Sequence, residues 1–314
     1  MKLILIIIII LLIAFLLNEY YYHVVLRYTQ EHQIMRGKKG KNYDWIAFGS
    51  SYCRFGLTLG EDEVGFNFGV AAQFLYYSDK MLREYAVSCL KNKGTVFLII
   101  ADLVFAEVGR GRYNPERYPL ILSKKSLGNE YSIINYIRMR FPLFFSPDKI
   151  RILISSIKHG TKSRFDTLKE NQLNYEQTLE QAKKRCNSWC RQFYLKDTKS
   201  EEIEPELEEK FSKTRAILTD MIQYCLDNGF KPVLVVTPVS KAMNECMSDG
   251  FMQKVLFDNI KLANKQNVPF LNYLKDSRFQ DISLYYNNAD CLNARGREMF
   301  TKVLIEDTKK INQL

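Results

Sequence analysis

Gly49, Ser50 and Ser51 directly follow a short apolar run, residues 45–48. A tight turn after a parallel strand lifts a hydroxyl to the carboxyl edge of the sheet, where open α/β folds bind ligands. The backbone N–H that follows can face an oxyanion. This is the geometry of acyl transfer to serine, but serine needs a base to take its proton. Histidine held by a carboxylate is the usual base. The chain has only three histidines: His23 and His32 lie near an apolar N-terminal segment, and His159 would have to fold over the turn from a distant stretch. Taken alone, Gly-Ser-Ser also suits any turn that needs small residues.

There are seven cysteines: Cys53, Cys89, Cys186, Cys190, Cys225, Cys246 and Cys291. An odd number excludes complete intramolecular pairing. Cys186 and Cys190 stand one helical turn apart, but no second Cys/His pair with ligand spacing accompanies them, so no metal is assigned. No cofactor motif is present either.

The elements that must position Ser51 follow from hydrophobic patterning. Apolar runs at residues 45–48, 64–68, 95–100, 232–236 and 268–271 alternate with helical stripes, which predicts βαβ units and a parallel sheet. The third and fourth runs are continuously apolar, as strands buried on both faces are. Helices are predicted over residues 77–91, over a stripe from Leu207 to Cys225 that starts at Pro205 and stops at Gly229, over 251–265, and over 293–309. Residues from about 106 to 205 break the alternation. They form a basic, aromatic, mostly helical insertion, interrupted by Pro142 and Pro147, whose role is a lid, a substrate platform, or a surface for a partner or the membrane.

With these blocks in order, the chain resembles the SGNH/GDSL hydrolase superfamily. It is most similar to the membrane-anchored branch linked to modification of cell-surface polysaccharide and teichoic acid. The resemblance covers about residues 43–105 and 207–306 and implies an α/β, three-layer flavodoxin-like sandwich with about five parallel strands. It implies Ser51 as nucleophile. The second block, Phe66-Asn67-Phe68-Gly69-Val70-Ala71-Ala72-Gln73, implies Gly69 and Ala72 as oxyanion-loop residues, with Ala71 and Ala72 where many members have glycine. The third block places Asp102 where the family has an amide-donating Asn; an ionised carboxylate cannot donate. The family closes with Asp-x-x-His and then Leu-Asn-x-x-Gly. Here Leu292-Asn293-Ala294-Arg295-Gly296 keeps the frame, while Asn288 and Cys291 hold the Asp and His positions. Tyr52, Arg54 and Gln73 are cleft candidates, and Thr237 and Pro238 shape its rim.

Cys291 has two readings, a chemical one, since a free thiol titrates near 8.5, and that of a small buried apolar residue. Asp102 can equally be a cap or ion-pair residue. Three functions remain open. One is a degenerate SGNH-like domain that binds a glycan or an envelope partner. Another is a working esterase or O-acyltransferase on an extracytoplasmic polysaccharide. The third is an unrelated membrane-tethered α/β binding protein.

The chain begins with an uncharged apolar run from Leu3 to Leu17, followed by Asn18 and the cluster Tyr20, Tyr21 and Tyr22. Tyr favours the membrane interface. No small-residue cleavage pattern follows, so residues 1–42 are expected to form a signal anchor and juxtamembrane segment, and 43–314 the α/β domain. Lys2 against the single cation Arg27 places the body outside, on the periplasmic or cell-surface side in a bacterium; a basic cluster from Arg36 to Lys41 opposes this. The net charge of +10 is scattered, and no nucleic-acid motif accompanies it, so it is read as a solvated basic surface. With 46% hydrophobic residues, the composition excludes a disordered or fibrous chain.

Overall fold

A computed structural model describes residues 2–37, 42–58, 64–107, 117–161 and 169–311; the lysines at 38, 39 and 41 lie outside them. The helices used below are, in chain order, α1 (Lys2–Tyr20), α2 (Ser51–Gly56), α3 (Leu75–Cys89), α4 (Ile133–Arg140), α5 (Pro147–His159), α6 (Tyr175–Phe193), α7 (Pro205–Asp227), α8 (Asp258–Ala263) and α9 (Ala294–Ile311). The strands are β1 (Tyr43–Phe48), β2 (Gly65–Asn67), β3 (Leu90–Ile100), β4 (Lys231–Val236) and β5 (Phe270–Asn272). The chain divides into two compact units. One holds Met1–Lys39 and Arg112–Leu168, the other Gly40–Gly111 and Lys169–Leu314.

The second unit contains the sheet. Its strands run in the order β2-β1-β3-β4-β5, all parallel. This is the doubly wound order in which the chain reverses direction at β1 and opens a crevice there. Parallel neighbours need right-handed crossovers, so the reversal sends the helices to both faces. On one side α3 packs on α7 and α7 on α8; elsewhere α9 packs on α2. β3 and β4 occupy the middle, and Val96–Ile100 and Val233–Val236 are buried throughout, which explains their unbroken apolar texture.

All five expected strands are present, with shifted ends. β5 starts at Phe270 rather than at Val268, because the side chain of Asn264 takes the Val268 N–H at 2.9 Å and holds it out of the ladder. The helix expected over 251–265 is interrupted by a π-helical turn, Gln253–Phe257, before α8. The polar stretch near residue 180, which shows little periodicity on inspection, forms the 19-residue α6. A capping box starts it: Gln177 N–H donates to Asn174 Oδ1 at 2.9 Å, and Asn174 N–H donates to Gln177 Oε1 at 3.1 Å. Its inward face is Ala182, Cys186, Trp189 and Phe193. Residues 169–205 of the expected insertion thus cluster with the sheet, and 112–168 cluster with the N-terminal segment.

In the first unit, α1 exposes its apolar residues and continues through a π-helical turn, Tyr21–Val25. Lys2–Val25 is long and apolar enough to cross a membrane. Its C-terminal end is tied down. Asn18 Nδ2 donates to the Arg140 carbonyl at 3.1 Å, Glu19 pairs with Arg140 at 2.7 Å, and Tyr21 and Val25 pack on Leu153 of α5.

Candidate functional site

Ser51 is the first residue of α2, immediately beyond β1, and is half-buried. The turn is built by its neighbours. Asn67, fully buried at the end of β2, donates to the carbonyls of Cys53 (2.8 Å) and Leu57 (3.0 Å). Its Oδ1 accepts from Gly69 N–H (2.8 Å) and the Cys53 thiol (3.1 Å). A Cβ on Gly69 would lie 2.6 Å from the Arg54 nitrogen, so only glycine lets the two loops approach. Ala72 adopts φ 55°, the left-handed conformation that glycine takes without cost. The loop thus takes a glycine-like conformation at Ala72 without a glycine.

Tyr52 is buried and its hydroxyl donates to Asp102 Oδ2 at 2.8 Å, while the Leu103 N–H donates to Asp102 Oδ1 at 2.9 Å. Asp102 is therefore an acceptor on both oxygens. Burial pushes its carboxyl up to about 6; the Tyr52 hydrogen bond opposes this and the nearby Asp290 adds to it. Asp290 is also raised by burial, opposed by the charge of Arg185. Arg185 reaches it from α6, 105 residues earlier in the chain, with Nε 3.1 Å from Asp290 Oδ2, and stacks over Trp189.

Asn288-Ala289-Asp290-Cys291 forms a tight turn, closed by Tyr286 N–H to the Cys291 carbonyl at 2.9 Å and with Ala289 at φ 64°. Asn288 Oδ1 accepts from the Cys291 N–H at 3.3 Å. Cys291 is buried, and burial followed by the Asp290 charge pushes its thiol well above the ordinary range. At neutral pH it is an S–H group. Behind it, Asn293 fastens the turn to the start of α9: its Nδ2 donates to Ser283 O (2.7 Å) and Tyr285 O (3.2 Å), and its Oδ1 accepts from Gly296 N–H (3.0 Å).

Tyr52, Thr237, Pro238, Asp290 and Cys291 line one crevice, which is too narrow to admit a water molecule. Ser51 precedes Tyr52 but does not line it. The structure thus brings together Tyr52, Asp102, Asp290, Cys291 and Arg185. Sequence reasoning missed Asp290 and Arg185. Asp290 stood inside a recognised block, but nothing in a polar helical stretch marks Arg185. The three histidines all belong to the first unit.

A larger cavity of about 700 Å³ opens elsewhere in the second unit, lined in part by Lys183, Cys186, Arg191, Lys199, Glu245 and Cys246. Cys186 Sγ lies 3.7 Å from Met243 Sδ, so the thiol is part of the packing between α6 and the short helix Lys241–Cys246. Among the described residues no three His, Cys, Asp or Glu side chains gather as a metal cluster.

The second unit is a doubly wound α/β domain with a serine turn at its switch point. No protein-family model and no curated protein matches the chain. Among solved structures it is similar to a candidate acylhydrolase from Bacteroides fragilis, at 9% identity and a TM-score of 0.41, over 88% of this chain and 94% of that one. A likeness of that size assigns no activity.

Proposed function

We propose that this chain is a membrane-anchored SGNH-like protein of the cell envelope that has lost ester hydrolysis and binds an anionic glycan or an envelope partner. The observation that carries this reading is the state of the closing turn. The residue at the family's histidine position is a buried, neutral thiol, and Asn288 is engaged in the turn. Among the described residues Ser51 has no recognisable base, and loss of a triad member costs several orders of magnitude in rate. Asp102 titrates near neutrality, but both its oxygens already accept hydrogen bonds. The open basic cavity near Lys183, Arg191 and Lys199 offers room for an anionic ligand, as the closed crevice does not.

The test uses the full chain in detergent micelles. Hydrolysis of p-nitrophenyl acetate and labelling by a fluorophosphonate are compared with Ser51→Ala. Equal rates and no labelled Ser51 are expected, and Ser51-dependent labelling would establish the alternative, an active esterase or O-acyltransferase. Binding of a teichoic-acid-type polyanion should weaken in Lys183→Glu/Arg191→Glu.

A further inference from the structure

The first unit exposes more apolar surface than α1 accounts for. On α5, Leu153 and Ser156 face inward, while Ile150, Ile154 and Ile157, at i, i+4 and i+7, face out. On α4, Ile133, Ile134 and Ile137 are exposed in the same way. Between these helices Phe144 and Phe145 are 52% and 53% exposed. Large Ile and Phe side chains exposed on three successive helices suit an interaction surface better than a solvated one.

The attachments within this unit say what covers it. An α-helix rises 1.5 Å per residue, so the 19 residues of α1 span about 28 Å, close to the ~30 Å hydrocarbon core of a bilayer. Residues 18–25 then emerge at headgroup depth, where Tyr20, Tyr21 and Tyr22 belong. It is at this level that α4 and α5 are fastened. Arg140 of α4 pairs with Glu19 and lies 4.6 Å over the Tyr22 ring, and Leu153 of α5 packs on Tyr21 and Val25. The outward neighbours of these contacts include Ile154 and Ile137, together with the exposed cations Arg138 and Lys158. Apolar side chains flanked by Lys and Arg at the end of a span have the composition of an interfacial helix, with the apolar face in the acyl boundary and the cations at the phosphates.

We infer that α4 and α5 form a membrane-lying platform whose partner is the phospholipid bilayer itself. The inference rests on the reading of α1 as a membrane span. The platform would hold the chain at the bilayer surface by more than its single helix.

The experiment uses the full chain reconstituted in phosphatidylcholine/phosphatidylglycerol vesicles, with one tryptophan added at a time: Ile9→Trp in α1, Ile154→Trp in α5 and Val87→Trp, an exposed position on α3, as the water-facing reference. Native Trp45 and Trp189 give the background, measured on the unaltered chain. Lipids brominated on the acyl chain quench by contact, and iodide quenches from water. The inference expects bromolipid to quench Ile9→Trp and Ile154→Trp, and iodide to quench only Val87→Trp. Quenching of Ile154→Trp by iodide and not by lipid would overturn it. Shielding from both quenchers would also overturn it, because a protein would then cover the face. Failure of bromolipid at Ile154→Trp with success at Ile9→Trp rejects the platform and leaves the anchor; failure at both rejects the anchor too.

Discussion

Two turns border one crevice at the carboxyl edge of the sheet, and they carry different side chains. The turn at Ser51 and the turn at Cys291 are each braced by one buried asparagine, Asn67 and Asn293, that ties loop carbonyls together and accepts a glycine N–H. Both braces are intact. The first turn carries the hydroxyl of Ser51. The second carries the amide of Asn288 and the thiol of Cys291, and the amide is part of the turn itself. The same kind of backbone brace thus holds two turns whose side chains differ in chemistry.

The largest effect should come from removing the first brace. Asn67→Ala strips two donated and two accepted bonds from a fully buried site, and should cost about 4 kcal/mol in chemical denaturation of the full chain. If it costs no more than a substitution at Asn288, the contrast between the turns fails.

Asp102 sharpens the comparison through pH. Its folded pKa of about 6 lies above its ordinary 3.8, so the folded state binds the proton more tightly. The stabilisation is complete below pH ~4 and is lost as pH rises through about 6, amounting to about 3 kcal/mol. Asp102→Asn should match the native chain near pH 4 and exceed it in stability at pH 7. The Asp102 charge also raises Glu107, and Asp290 raises Asp102, so the difference reads Asp102 together with the carboxylates it faces.

Arg185→Ala should destabilise by about 2 kcal/mol, less than for a fully buried pair because the Arg185 side chain is 40% exposed. Asp290 then loses its cation and its pKa rises further, so the loss should be greater at pH 8 than at pH 5. The smallest effect belongs to Asn288→Ala, which removes one long bond at a half-buried position and should cost about 1 kcal/mol in the same denaturation measurement.

Much of this was legible in the chain. Val96–Ile100 and Val233–Val236 announce central strands because both faces are covered, and Pro205 marks the start of α7 because its missing N–H costs nothing in a first turn. α6 was legible only in part. Its buried positions repeat with helical spacing, but Lys and Arg between them dilute the pattern, and its cap depends on the pair Asn174 and Gln177. Within the candidate site, Ser51, Tyr52, Asp102 and Cys291 stood in recognisable blocks, whereas Arg185 and the protonation of the carboxylates did not.

The sequence by itself determined the apolar helix, the five strands and the two turns, because hydrophobic period, proline and glycine act over a few neighbouring residues. Only the tertiary structure decided that Arg185 meets Asp290, that Cys291 is kept neutral, and that α4 and α5 turn their isoleucines outward. Each of these depends on which surfaces long-range packing covers, and burial is what moves a pKa or strands an apolar face.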